Sequence, residues 1–254
     1  MYTYPYSDCK IVIVIASYPE INAKIIGKAV EIITIGRKGS NISIIDFDQN
    51  QNAIDELSDN ISTVAFLLGD VTEACHKKAK DLILNNNVDM LINLIPACIE
   101  RCQTTDNYIL NSNETNIYLN RDNYFYLAVR GIQSFVALFK LPSICGLDLA
   151  DVRDAFSKKR GWLMLAETSY ANRFVAVQQA IQIWKPYNEI TAAFLLNILF
   201  NDNSPFSLDD FSQILDILEQ ETYSEKNTPE IVASVTDLSN LNCDMQITLF
   251  GLIG

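Results

Sequence analysis

The chain has 254 residues, 49% hydrophobic and 20% charged, with 31 acidic against 19 basic side chains and a net charge of -12 at pH 7. That length supports one large or two modest cores in an ordinary water-soluble protein. The acidic balance argues against a nucleic-acid or anionic-membrane surface, which needs clustered Lys and Arg. Met1–Asp8 has no basic region and the apolar run Ile11–Ala16 is too short for a leader, so a cytoplasmic protein without a direct membrane anchor is expected. The six cysteines (Cys9, Cys75, Cys98, Cys102, Cys145, Cys243) form no CxxC pair, and neither a metal site nor a disulfide framework is expected.

Lys10–Ala16 (KIVIVIA) is the continuous β-branched run of a strand covered on both faces. Ser17-Tyr18-Pro19-Glu20 then opens a helix running to about Ile33, with Pro19 and Glu20 suited to a first turn. A strand at Asn41–Phe47, a helix at Gln51–Leu57, a strand at Ser62–Leu68, a helix at Glu73–Leu84 and a strand at Asp89–Ile95 follow. This alternation predicts an α/β fold with a parallel, Rossmann-like sheet. Thr104–Asn120, rich in Asn and Thr, reads as a loop with a short helix at most.

Tyr124–Phe139 is apolar almost all the way round, interrupted only by Arg130, Gln133 and Ser134. Such a helix is buried on every side. It is too short, and carries Arg130 too near its middle, to be a good bilayer span, so it is expected to lie between protein layers and end before Pro142. Asp148–Arg160 reads as a helix with Asp148 at the N-cap, Asp151 three residues on, a basic last turn and Gly161 after it. A strand at Trp162–Ala166, a helix at Ser169–Trp184 with inner face Phe174, Val177, Ile181 and Trp184, and a strand at Ala193–Phe200 come next. A helix at Ser207–Glu221 capped by Ser207 and Asp210, then strands at Ile231–Thr236 and Met245–Phe250, complete a mixed C-terminal sheet.

The order and spacing of several motifs carry a family resemblance. Ala128–Ile132 (AVRGI) followed by Pro142–Arg153 (PSICGLDLADVR) resembles the central-helix and loop segment of the bacterial tubulin relative FtsZ. Thr191–Ile198, Leu208–Phe211 and Met245–Gly254 continue the likeness in the same order. The resemblance implies a tubulin/FtsZ-like architecture: a shortened Rossmann-like domain at 1–122, a connecting helix at 123–141 and a C-terminal domain at 142–254. It also implies that Tyr118, Asp122 and Asn123 descend from the base-side contacts of a guanine-nucleotide site. Gly146, Asp148, Asp151 and Arg153 would belong to the loop that meets the next subunit, with Asp148 and Asp151 matching the acidic pair that positions the attacking water. The residues themselves allow plainer roles: Asp122 and Asn123 can cap the helix that starts there, and Asp148 with Asp151 can stabilise a helix start through cap and dipole.

The departures are as informative. A triphosphate needs many backbone N–H donors in glycine-rich turns, yet the chain has nine glycines, no two adjacent, and follows its first strand with Tyr18 and Pro19. The glycine cluster and the G-G-G-T-G-T-G turn of the family are missing. Thr63–Phe66 and Val88–Pro96 resemble later family strands, as if a strand-turn-helix unit had been excised. The expectation is a non-catalytic relative, without a catalytic residue or bound GTP, that associates with FtsZ-like subunits or with itself in cell division or a related filament. Two other readings stand beside it. One is an active or weak GTPase of the family; the other is a scaffold or small-molecule binding module, with Tyr18, Tyr108, Tyr118 and Tyr124 around a remodelled pocket.

Overall fold

The computed structural model describes residues 9–16, 23–34, 41–57, 61–98, 110–141, 143–201 and 203–254. The Ser17-Tyr18-Pro19 turn, Tyr108, Cys102 and Pro142 lie outside them. The strands are β1 (Lys10–Ile15), β2 (Ile42–Asp46), β3 (Thr63–Leu68), β4 (Met90–Ala97), β5 (Glu114–Asn120), β6 (Ser143–Cys145), β7 (Arg160–Thr168), β8 (Thr191–Phe200), β9 (Glu230–Asp237) and β10 (Met245–Ile253). The helices are α1 (Ala23–Thr34), α2 (Ala74–Asn85), α3 (Tyr124–Lys140), α4 (Leu149–Phe156), α5 (Arg173–Trp184) and α6 (Leu208–Thr222). The α/β architecture and the mixed C-terminal sheet are as the sequence predicts.

The strands form one ten-stranded sheet in the order β2-β1-β3-β4-β5-β7-β10-β8-β9-β6. Strands β2 to β7 in that order are parallel, β10 is antiparallel to both β7 and β8, β8 and β9 are parallel, and β6 closes the far edge antiparallel to β9. The two halves meet at β5 and β7 through only three paired positions, Asn116–Tyr118 against Arg160–Trp162. By contrast β7 and β10 pair along the whole of both strands.

Helix α3 bridges that seam. Over 17 residues it spans about 25 Å, and one continuous core beneath it gathers Ile13, Phe66 and Ile117 from one half with Leu163, Leu195 and Phe250 from the other. Phe135 is its hub, with ring centroids 5.2 Å from Phe66, 5.5 Å from Phe156 and 5.1 Å from Phe250. The polar interruptions that keep α3 from reading as a membrane span all have partners. Ser134 accepts from Asn197 Nδ2 at 2.6 Å, with Ser234 donating to Asn197 Oδ1 at 2.7 Å. Arg130 binds Gln133 at 2.9 Å and Glu167 at 2.6 Å. Among the described residues, no helix is long and apolar enough to cross a membrane.

The opposite face of the sheet carries α2 at one end and α5 with α6 at the other, over separate apolar clusters. Gly251 leaves room for Trp184 to lie flat on β10: a Cβ there would come within 2.5 Å of the indole. Between the clusters the face is polar and buried. Glu114 pairs with Lys80 of α2, accepts from Asn93 at 2.9 Å and, through its other oxygen, from Asn111 at 2.9 Å. His76, one helical turn before Lys80, is buried with Nε2 unpartnered. Burial, followed by the Lys80 charge and only partly offset by Asp70 and Glu114, holds its pKa down at about 4.

Four expectations change. Gln51–Leu57 is a 3-10 helix rather than an α-helix, a geometry suited to a short connector. Glu114–Asn120 is strand β5 rather than loop: Thr115 and Ile117 face α3 while Glu114 and Asn116 face the polar cluster, and those buried polar residues disguise the period. It is β5, not β4, that leads into α3. The helix from Asp148 ends at Phe156 instead of Arg160, because Lys158 turns to φ 59° and donates to Glu114 O at 3.0 Å, drawing Arg160 and Gly161 into β7. The helix expected from Ser169 begins at Arg173, after a 3-10 turn at Tyr170–Asn172.

Two measurements follow from this packing. Phe135→Ala should lower the unfolding free energy by about 3–5 kcal/mol in urea titrations, since the vacated ring space lies where four elements converge. For His76, the unfolded chain takes up a proton near pH 6.5 while the folded imidazole resists down to about 4, so native stability is complete above 6.5 and falls across that window. The loss should amount to about 3 kcal/mol. His76→Leu should flatten this part of the stability-pH profile, whereas an unchanged slope would show that another group carries it.

Candidate functional site

The carboxyl ends of parallel strands are where an α/β sheet receives a ligand. At β3 the chain leaves through Gly69 at φ +147°, where a Cβ would stand 2.0 Å from the carbonyl oxygen of Ala16. Only glycine fits so close a passage. The Gly69 N–H, the kind of donor a phosphate would use, donates instead to the Tyr124 hydroxyl at 3.1 Å, which in turn donates to Leu94 O at 2.7 Å. Tyr124 is the first residue of α3 and is buried.

The turn beyond Gly69 is built on a carboxylate. Asp70 Oδ1 accepts from the Thr72 N–H at 3.0 Å and from its hydroxyl at 2.8 Å. Glu73 sits at the N-cap of α2. Across from it, Asp48 just past β2 accepts from Cys75 Sγ at 2.8 Å. Asp48, Asp70 and Glu73 thus gather at the amino end of α2, and the Arg121 guanidinium lies 3.6 Å from Asp70.

The base-side positions separate. Tyr118 is buried in the cluster of Ile95, Trp162 and Ile181, on the far side of the sheet from α3. Asp122 and Asn123 remain exposed at the head of α3, and neither side chain caps it. The capping bond there comes from Asn120, whose Oδ1 accepts from the Asp122 N–H at 3.0 Å. Asp122, Asn123, Asn120 and Cys98 rim a cleft of about 440 Å³ where β5 and β7 diverge. Sequence reasoning missed this cleft because its Trp162 and Met164 belong to a strand that reads as plain core.

The acidic loop holds together as expected. Asp148 Oδ1 accepts from the Asp151 N–H at 2.8 Å and Asp151 Oδ2 from the Asp148 N–H at 3.1 Å, a reciprocal capping box at the start of α4. This arrangement satisfies the helix start on its own. Gly146 is half-buried beside them, and Arg153 is exposed with Asp154 at 3.9 Å. Ile144 on β6 stands 46% exposed on the same loop.

A second capping box, Ser207 with Asp210, starts α6 as the sequence predicts. It anchors a knot the sequence does not announce. Burial alone would push the Asp210 carboxyl up, but Tyr170, Ser207 and Arg173 all bond to it and bring it down to about 2. The Arg173 guanidinium stacks 3.7 Å from the Tyr170 ring centroid, and the hydrogen bond to Asp210 pushes the Tyr170 phenol up. The knot joins the starts of α5 and α6. Among the described residues, no cluster of His, Cys, Asp and Glu could hold a metal ion.

No family model and no curated protein sequence matches the chain significantly. Its fold does match solved structures. The CetZ protein of Methanosaeta thermophila strain DSM 6194 superposes with a TM-score of 0.61 over 96% of this chain and 86% of its own, at 9% sequence identity. So low an identity speaks for architecture alone, and on architecture the chain has the tubulin/FtsZ fold.

Proposed function

We propose that the protein is a non-catalytic member of this structural class that acts by association with other subunits, its own or those of an FtsZ-like filament. The observation that carries the reading is the amino end of α2. There the Gly69 amide is engaged by Tyr124, and Asp48, Asp70 and Glu73 stand where a triphosphate would need donors and cations. Each carboxylate opposes a polyanion by like-charge repulsion. On the far side, Asp148 and Asp151 direct oxygens onto their own backbone, which fits a loop that presents a surface rather than one that activates water. Ile144 and Arg153 give that surface an apolar and a cationic contact.

Titration with a fluorescent GTP analogue should give no saturable binding below about 1 mM, because contacts to the base alone leave little free energy after the cost of association. Saturation in the micromolar range would overturn the proposal. Asp148→Ala should lower stability by about 1 kcal/mol through loss of the cap and remove no GTP hydrolysis. A measurable hydrolysis rate that disappears with Asp148 would likewise defeat it. Arg153→Glu should change stability by less than about 0.5 kcal/mol and weaken both self-association and co-sedimentation with an FtsZ-like filament. If neither responds, this loop is not the contact surface.

A further inference from the structure

The cleft at the head of α3 exposes something other than side chains. Strand β7 pairs with β10 from Arg160 to Thr168, but with β5 only as far as Trp162. Successive residues of a strand direct their backbone groups to alternate sides. The Asn116 N–H donates to Lys159 O at 3.3 Å, which places the odd-numbered residues of β7 toward β5. Past the end of the pairing, the carbonyl of Leu163 and both backbone groups of Leu165 and Glu167 point to the side that β5 has left, where Leu163 and Leu165 line the cleft. Among the described residues, nothing bonds to that side of the strand.

Natural proteins protect such edges with charge, proline or a bulge. Trp162–Ala166 (WLMLA) has none of these, the charge that follows at Glu167 is engaged by Arg130 at 2.6 Å, and β7 keeps an unshifted register against β10. The two faces of this edge are already covered, leaving Leu163 and Met164 buried. What remains open is the direction of the hydrogen-bond ladder. Leu127 and Ile183 give the slot apolar walls, and among the described residues that line it the one formal charge is Asp122, exposed and without an ion-pair partner among those residues.

We infer that this slot receives a short extended segment of a partner protein, which adds a strand to the free edge of β7 and places a Lys or Arg against Asp122. The open ladder at Leu163–Glu167 selects a backbone rather than a compact ligand. The apolar walls select Val- or Ile-like side chains on both faces, and the exposed Asp122 carboxylate on a chain of net charge -12 selects a cation. The surface is separate from the Ser143–Arg153 loop and does not depend on how that loop is used.

The test uses the full chain and a synthetic peptide of about seven alternating Val and Thr residues with a Lys at each end, a length suited to strand addition. In low salt the peptide should bind with a dissociation constant on the order of 100 µM, the strength expected of a small edge contact. The same peptide N-methylated at alternate amides keeps its charge and loses its donors, and it should not bind measurably. Asp122→Asn should weaken the parent peptide about threefold at low salt. In hydrogen exchange, the Leu165 and Glu167 amides should exchange fast in the free protein and slow when peptide is added. Equal binding of the N-methylated peptide would reduce the effect to charge attraction and overturn the inference. So would slow exchange of both amides before any peptide is present, or no binding of the parent at about 1 mM, tenfold above the constant expected for a contact of this kind.

Discussion

Everything in this molecule depends on how α3 is buried. A helix that is apolar on nearly every side has to be enclosed, and here the enclosure comes from α1 and α4 on one side and from both halves of a ten-stranded sheet on the other. The Phe135 ring touches aromatics contributed by β3, α4 and β10, so a single side chain ties the parallel half to the mixed half. The Asn197 amide, held between Ser134 and Ser234, fixes the helix on β8 and β9 with directional bonds that dispersion cannot supply. With the two halves sharing only three ladder positions between β5 and β7, their relative placement rests on this helix more than on the sheet.

The same enclosure shapes the carboxyl ends of the parallel strands. Because α3 starts with Tyr124 and is pressed against β3 and β4, its hydroxyl reaches both Gly69 and Leu94. The hydroxyl thereby occupies the backbone donor at the end of β3 and the acceptor on β4. The carboxylates of Asp48 and Asp70 are used locally, one by Cys75 and one by Thr72, so the acidic character of this face is part of the turn itself. The Arg121 guanidinium lies 3.6 Å from Asp70.

Much of this was legible beforehand. The parallel strands Lys10–Ala16 and Ser62–Leu68 declare themselves by unbroken β-branched or apolar runs, and α3 by its lack of a polar face. Both capping boxes, Asp148 with Asp151 and Ser207 with Asp210, follow from spacing alone. Strand β5 did not, because its buried Glu114 and Asn116 are satisfied by Lys80 and Asn93, residues far away in the chain that no local pattern reveals. The short α4 was hidden for a related reason: Lys158 and Lys159 look like a cationic helix end, and only their bonds to β5 show that they belong to a strand entry. Of the site, the loop was readable and the cleft was not, since a strand that is paired on one side and open on the other has the same sequence as one paired on both.

Helix α3 is also held at its two tips. Tyr124 is fastened to the ends of β3 and β4, and Lys140 reaches the carbonyl of Cys9 where β1 begins. A stiff rod of about 25 Å, gripped at the middle by Phe135 and tethered at each tip, is pinned at three points along its length. The carboxyl ends of β3 and β4 and the start of β1 are thereby braced against one another through a single helix.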